Sequence, residues 1–454
     1  MDIDRQQKTV LARLLDGPAT PTDLKRELGD ISAATLSRLI GRLGSKVVVL
    51  GKARSTRYAR PRDIRGMGDR FPVYRIDSTG NSHQTGMLLS LWGGKFWWDS
   101  GALSSLHPGL PWFIQDMRPE GFTGRAFAHR ASGELRLPLR LSDWNDDDVL
   151  YALARRGEEC MGDLLVGDES LERYLRRKPT APLRVPDDYT EYARRAMEGD
   201  PAGSSAGGEQ PKFTALIERN GEPLHVLVKF SPQQASAEGV RWSDLLVCEQ
   251  IALETIREAG VPAAASRLHQ AGGRTFLDVE RFDRAGVDGR LPMHSLGVLD
   301  DEHFGRRDTW AAMAGRLEQA GMLTREDADS LRWLSLFGAM IANTDQHFGN
   351  ISLIPRDERR DKFVLAPAYD MLPMLYRPRD GEAAFPEYIP PVPLYGTASC
   401  YGNALRHALI FWERAGSDGR VSDEFRRCCV RNRELLEKSA DAGGRVVPGF
   451  IACK

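Results

Sequence analysis

The sequence predicts an α+β chain in three parts: a small helical module with a basic ribbon, a β-rich middle, and a larger domain of strands followed by helices. Three observations predict it. Charge is uneven: residues 1–65 hold 14 Lys/Arg and 7 Asp/Glu, a net +7, while the remainder holds 48 and 56, a net −8, within an overall −1. Apolar periodicity is helical through the first forty-odd residues and alternates, strand-like, from Val73. A length of 454 residues fits about three domains of ~150 residues. The boundaries are read as 1–65, 66–188 and 189–454.

Composition excludes other classes. With 41% apolar and 28% charged residues, the chain is not broadly disordered, collagenous or a membrane bundle. The richest apolar stretch, Met87 to Trp98, is broken by Gly93, Gly94 and Lys95, short of the ~18 residues a spanning helix needs. The start, MDIDRQQK, is polar and does not read as a secretory signal. Six cysteines with no CxxC pair argue against a zinc cage, and a reduced, cytoplasmic protein with no membrane partner is expected.

In the front module, Ile3, Val10, Leu11, Leu14 and Leu15 line one face of a first helix that Gly17-Pro18 ends. Thr20 caps a second, with Pro21 at its first position, Asp23 three residues after the cap, and Gly29 as its stop. Ser32 caps a third, whose inner stripe is Leu36, Leu39, Ile40 and Leu43. Its outer face carries Thr35, Ser37, Arg38 and Arg42, side chains suited to base edges and phosphates. A two-stranded ribbon follows, from Val47 to Tyr58, with Lys52, Arg54 and Arg57 near its tip. Three helices and a ribbon predict a winged helix-turn-helix that binds DNA. A small helical cap on the main domain remains the alternative.

In the middle, Val73–Asp77 and Leu88–Trp98 alternate as strands, with Gly93-Gly94 as a hairpin turn. Trp92, Trp97, Trp98, Trp112 and Trp144 read as core. Residues 146–165 and 189–198 read as helices.

Chemistry concentrates between residues 203 and 373. Ser204, Ser205, Gly207, Gly208, Gln210 and Lys212 lie in a Gly-rich loop whose backbone N–H groups can face an anion, though it is not a P-loop consensus. Next comes a strand, His225–Phe230, carrying Lys229 between apolar neighbours. The helix over 241–259 offers Glu249 as its partner, with Glu254 and Glu258 on the same helix. In Asn343-Thr344-Asp345-Gln346-His347-Phe348-Gly349-Asn350, Asp345 and Asn350 stand five apart, the spacing of a catalytic base and a metal-binding amide in phosphoryl transfer. His347 falls where many kinases place a lysine near the transferred phosphate. Asp370, after the strand Phe363–Leu365, supplies a second metal-binding oxygen donor. The order of these pieces predicts a protein-kinase-like bilobal domain with a helical C-lobe. A metallohydrolase built on Asp345 and His347 is discounted, because no second histidine lies within a helical turn.

The segments GGEQPK, VKF, VERFDR, NTDQHFGN and PAYDMLP resemble the HipA family of bacterial toxin-antitoxin serine/threonine kinases, over roughly residues 70–430. The front module resembles the helix-turn-helix extension of the YjjJ-type branch. The resemblance implies ATP and Mg2+ as cofactors, Asp345 as catalytic base, Asn350 and Asp370 as magnesium ligands, and Lys229 as the phosphate-binding lysine. It implies Glu280, Arg281 and Phe282 as the hinge that meets adenine through backbone groups. It implies autophosphorylation of Ser205, with Ser204 as the alternative, and the added charge would expel the loop. It implies a protein substrate, an aminoacyl-tRNA synthetase in known relatives. Gly349 departs from the family, which often has a basic residue there. Two-fold symmetry is common among winged-helix modules, which leaves a homodimer open. Two other functions stay in view: a DNA-binding regulator whose kinase-like part senses nucleotide, and a toxin acting on DNA.

Overall fold

The computed structural model describes residues 3–177, 181–198, 210–356, 361–379, 381–392 and 396–444. The chain is α+β and divides into two units, one of residues 1–77, 81–119 and 131–178, the other of 78–80, 120–130 and 179–454.

The first unit begins with α1 (Ile3–Arg13), α2 (Pro21–Glu27) and α3 (Ala33–Leu43). Local chemistry sets their starts. Thr20 Oγ1 accepts the Asp23 N–H (3.2 Å) and the Asp23 carboxylate accepts the Thr20 N–H (3.1 Å), closing a capping box. The Thr20 hydroxyl, donating to the Asp23 carboxylate at 2.6 Å, and then the Thr20 N–H hold that carboxyl below its ordinary value. Ser32 Oγ accepts the Thr35 N–H at 3.2 Å. Val10, Leu14, Leu24, Leu28, Leu36 and Leu39 are buried together between the helices. The ribbon is β1 (Val48–Leu50) paired antiparallel with β2 (Arg57–Ala59).

A five-stranded sheet follows: β3 (Arg70–Ile76), β4 (Ser82–Leu91), β5 (Lys95–Asp99), β6 (Ser104–His107) and, after α4 (Trp112–Gln115), α5 (Gly121–Leu135) and α6 (Asp146–Arg156), β7 (Leu164–Val166), in the order β6-β5-β4-β3-β7. Helix α7 (Asp168–Arg176) comes next. The ribbon is not free: Leu50 and Ala59 share a buried cluster with Leu89 and Leu91 of β4. Arg62 Nη2 pairs with Asp147 at 2.8 Å, and Arg65 pairs with Asp148.

Two expectations need correction here. The helix expected over 146–165 stops at Arg156; Gly162 takes φ +72°, and Leu164–Leu165 leave to pair with Tyr74–Arg75 of β3. Of the five tryptophans read as core, only Trp144 is fully buried, while Trp92 is 37% exposed at the hairpin tip, under the Arg60 guanidinium at 5.3 Å.

In the second unit, α8 (Asp187–Glu198) precedes an antiparallel sheet of β8 (Lys212–Arg219), β9 (Glu222–Phe230), β10 (Ser266–Ala271) and β11 (Arg274–Glu280), ordered β10-β11-β9-β8. Helix α9 (Ala237–Glu258) crosses between β9 and β10. Alternation assigns the faces. Phe213, Ala215, Val226, Val228 and Phe230 meet Tyr189 of α8 on one face. Leu277 and Val279 meet Leu246 of α9 on the other. Lys229, between Val228 and Phe230, therefore points to the α9 side. The chain continues through the short strands β12 (Arg284–Ala285), β13 (Gly289–Arg290) and β14 (His294–Ser295), then α10 (Leu296–His303), α11 (Trp310–Gln319) and α12 (Arg325–Met340). Strands β15 (Ser352–Pro355) and β16 (Phe363–Leu365) join β14 in a small sheet, and α13 (Tyr401–Ser417) and α14 (Asp423–Gly444) complete the helical part. Phe337 of α12 packs edge-on against Phe411 of α13, with centroids 6.4 Å apart.

The first turn of α9 lies against the loop before it: a Cβ on Gly239 would stand 1.9 Å from the Gln233 carbonyl oxygen. Gly239→Ala should therefore destabilise the protein by about 1–3 kcal/mol, read from the urea unfolding midpoint. An unchanged midpoint would contradict this close approach.

Candidate active site

Strand parity brings Lys229 to α9, and α9 brings Glu249 to Lys229. Lys229 Nζ donates to Glu249 Oε1 at 2.5 Å and also pairs with the Asp370 carboxylate. Glu249 is fully buried and Lys229 nearly so, whereas a quarter of the Asp370 side chain is exposed. Helical spacing explains why Glu249 is the partner. Glu254 and Glu258 lie roughly 140° and 180° around the helix from it, and Glu258 instead pairs with Arg414 at 2.8 Å. Burial pushes the Lys229 ammonium below the ordinary lysine value; the Glu249 carboxylate opposes that push and the nearby Lys212 cation adds to it. Lys212 stands directly opposite Lys229 in the β8–β9 pair. Two like charges held opposite repel, and the Glu249 and Asp370 carboxylates offset the one on Lys229. Gln210 is buried next to them, and its Nε2 has no partner among the described residues. Ser204, Ser205, Gly207 and Gly208 lie outside the described residues.

The second half of the site follows α12. Ala342 takes a left-handed backbone (φ +60°), turning the chain from the helix into residues 343–350. Asn343 Oδ1 accepts the Asp345 N–H at 3.0 Å, and Asn350 Nδ2 donates to the Asp345 carbonyl at 2.9 Å. These bonds bracket Asp345 from both sides, leaving its carboxylate part-exposed. They also hold the Asn350 amide by its nitrogen, so Oδ1 remains as the acceptor end. His347 Nδ1 accepts the Gly349 N–H at 3.1 Å, which makes Nε2 the protonated nitrogen of the neutral ring, 3.9 Å from Asp345 Oδ2. A Cβ on residue 349 would stand 3.0 Å from that ring, so glycine there suits this histidine rotamer. Asp370 also sits at positive φ (+54°), a strained backbone at the residue that meets Lys229. Asn343 Nδ2 reaches the Asp370 carbonyl at 3.5 Å, linking the two loops.

Several participants escaped the sequence reading. Asn343 was legible as an Asx turn two residues before Asp345. Tyr369, whose hydroxyl donates to the Gly349 carbonyl at 2.9 Å, and Trp310, whose indole N–H donates to the His347 carbonyl at 3.1 Å, carry no local signal. At the end of β11, the Glu280 N–H bonds the Ala265 carbonyl (2.8 Å) and the Arg281 N–H bonds the His225 carbonyl (3.0 Å). The Arg281 side chain turns to Asp283 (2.7 Å), and the Phe282 ring lies 5.8 Å from that of Tyr369. In the first unit, Ser37, Arg38, Arg42, Lys52, Arg54 and Arg57 are exposed, and Thr35 is half-buried beside Ser32.

A carboxylate and an amide oxygen, from Asp370 and Asn350, are hard oxygen donors of the kind magnesium takes while keeping waters and phosphates as its other ligands. The residues fit that ion. Among the described residues no three His, Cys, Asp or Glu converge as a fuller metal cage. No helix among them is long and apolar enough to cross a membrane.

Comparison with known proteins agrees with this layout. The family described as "YjjJ-like toxin, middle domain" matches residues 67–175, and "HipA-like C-terminal domain" matches residues 204–420. Toxin YjjJ of Escherichia coli (strain K12) is 36% identical over 454 residues, covering 95% of this chain and 98% of that protein. HipA from the Shewanella oneidensis MR-1 complex of HipA, HipB and operator DNA superposes with TM-score 0.51 at 15% identity, covering 81% of this chain and 95% of that one, a likeness of fold. The Helicobacter pylori proinflammatory kinase CtkA is a weaker likeness, with a TM-score of 0.35 at 11% identity, over 50% of this chain and 94% of that one. The extended similarity to Toxin YjjJ and the two family matches support a kinase-type toxin function. The chain belongs to the YjjJ toxin family, within the HipA-like toxin kinases.

Removing one member of a buried ion pair leaves the other charge without compensation. Lys229→Met should lower stability by about 3–5 kcal/mol, and Lys229→Met/Glu249→Leu should recover part of that loss. Urea unfolding of both variants checks this; a double variant less stable than the single would contradict the pairing.

Proposed function

We propose that the chain is an ATP- and Mg2+-dependent serine/threonine protein kinase that phosphorylates its own Gly-rich loop at Ser205, or at Ser204, and binds DNA through a winged helix-turn-helix at residues 1–65. The observation that carries the catalytic proposal is the Lys229–Glu249–Asp370 ion cluster, with the Asn343-braced Asp345 following in chain order. Lys229 and Lys212 hold the nucleotide phosphates. Asp345 accepts the proton of the acceptor hydroxyl as its oxygen bonds the γ-phosphorus and ADP departs. His347 donates from Nε2 toward the transferred phosphate. Glu280, Arg281 and Phe282 flank the adenine. Asn350 and Asp370 would hold magnesium, which when bound offsets the polyphosphate charge. An aminoacyl-tRNA synthetase as outside substrate rests on family resemblance alone.

Intact mass after incubation with Mg-ATP tests the kinase. The protein should gain one phosphate, mapping to Ser205 or Ser204, and Asp345→Ala should gain none. Nucleotide binding without phosphate gain would instead favour a nucleotide-sensing DNA regulator.

The DNA proposal rests on the exposed face of α3 and on the basic ribbon tip. Arg62 and Arg65 are engaged with Asp147 and Asp148, and the exposed positive charge on α3 and the ribbon lies on Arg38, Arg42, Lys52, Arg54 and Arg57. Fluorescence anisotropy with a random-sequence duplex at several salt concentrations checks this. Arg42→Ala should lower the slope of log affinity against log salt by about 1. An unchanged slope would remove Arg42 from the interface.

A further inference from the structure

Helix α9 carries more than Glu249. Two turns before Glu249 lies Arg241, a 3%-exposed arginine whose guanidinium is surrounded by the chain that follows Asp370. Its Nη1 donates to the carbonyls of Tyr376 (3.1 Å) and Ala384 (2.9 Å), and its Nη2 to that of Ala383 (3.2 Å). The guanidinium lies 4.0 Å from the Phe385 ring centroid and 5.1 Å from that of Phe425. One turn further along α9, Asp244 accepts from Ser422 N–H (2.7 Å) and Oγ (2.6 Å) at the start of α14. The same helix therefore grips the segment at both ends: Glu249 through Lys229 to Asp370, and Arg241 to residues 376–384.

In kinases this segment is commonly ordered by phosphorylation, through an arginine that pairs with the new phosphate. Here residues 371–396 contain no serine or threonine, and between them and α13 only Thr397, which is 2% exposed, and Ser399 remain. Tyr376 and Tyr388 are buried, with the Tyr376 hydroxyl accepting from Asn432 (2.7 Å) and the Tyr388 hydroxyl donating to the Met340 carbonyl (2.6 Å). Tyr395 lies outside the described residues. We infer that Arg241 is a positioning residue that keeps the segment after Asp370 in its working arrangement through backbone carbonyls, so that the site is assembled without phosphorylation of that segment. The planar fork of arginine reaches three carbonyls from one side chain; a lysine ammonium on that stem does not reproduce the geometry.

The inference rests on the kinase reading, and the experiment separates the two. The maximal rate of autophosphorylation and the half-saturating ATP concentration are measured for phosphatase-treated wild type, for Arg241→Lys, and for Ser422→Ala, which loosens α14 without touching the carbonyl cradle. Circular dichroism checks that each is folded. Treated wild type should keep its full initial rate. Arg241→Lys should lose maximal rate on the order of 10²-fold, the scale of a small misplacement of reacting groups, with a much smaller change in half-saturating ATP. Ser422→Ala should lower the melting temperature and leave the maximal rate near wild type. A folded Arg241→Lys with the wild-type rate would overturn the inference. So would a treated wild type that regains activity only as phosphate appears within residues 371–400, a result available even where Arg241→Lys does not fold. Wild type that transfers no phosphate under any treatment would overturn the kinase reading itself, and the inference with it.

Discussion

The constraint on which the rest of the site depends is one ammonium placed between two carboxylates. Lys229 is on a central strand with almost no access to water, and an isolated charge there would be very unfavourable. Glu249 offsets that burial from the helix, and Asp370 offsets it from a loop 141 residues along the chain. The pair acts mainly as a registration device. It admits one rotation of α9 against the sheet and one position of the loop carrying Asp370. Replacing such a pair with apolar side chains would fill the same space without specifying either.

Much of the remaining geometry can be followed outward from that point. Alternation along β9 sends Val228 and Phe230 to the α8 face and leaves Lys229 facing α9. The strained backbone at Asp370 turns its carboxylate toward the lysine, and Asn343 ties that loop to the one holding Asp345. Ala342 and Asp370 both adopt left-handed backbones, so the two loops that meet here are each held in conformations their sequences would not favour alone. Such backbone conformations persist only where the surrounding structure over-determines them, and here the hydrogen bonds of Asn343 and the Lys229–Asp370 ion pair do so.

Legibility in the sequence followed the range of the interaction. Thr20 and Ser32 could be read as caps because their partners lie three residues away. Lys229, Asp345, Asn350 and Asp370 could be picked out only by the order of their segments along the chain, since each segment alone is commonplace. Glu249 was separable from Glu254 and Glu258 only in space, since all three suit the same helix. The strand Leu164–Val166 was misread as helix because three apolar residues carry no period of their own, and their partner strand lies some ninety residues upstream. Trp92 was misread as core because amphipathic rings pack well at edges and turns as well as in cores. Arg241 gave no signal at all, because its partners are backbone carbonyls and any residue supplies those.

The most direct test of the central role of Lys229 removes the charge that holds it while leaving its own side chain in place. Glu249→Gln is isosteric, and Glu249 is fully buried against the lysine. Calorimetric titration with ATP, in magnesium and in EDTA, should show affinity lowered about tenfold or more in the folded variant, a change of at least ~1.4 kcal/mol. ATP affinity equal to wild type in a folded Glu249→Gln protein would contradict the account, because Lys229 would then hold its place without the carboxylate.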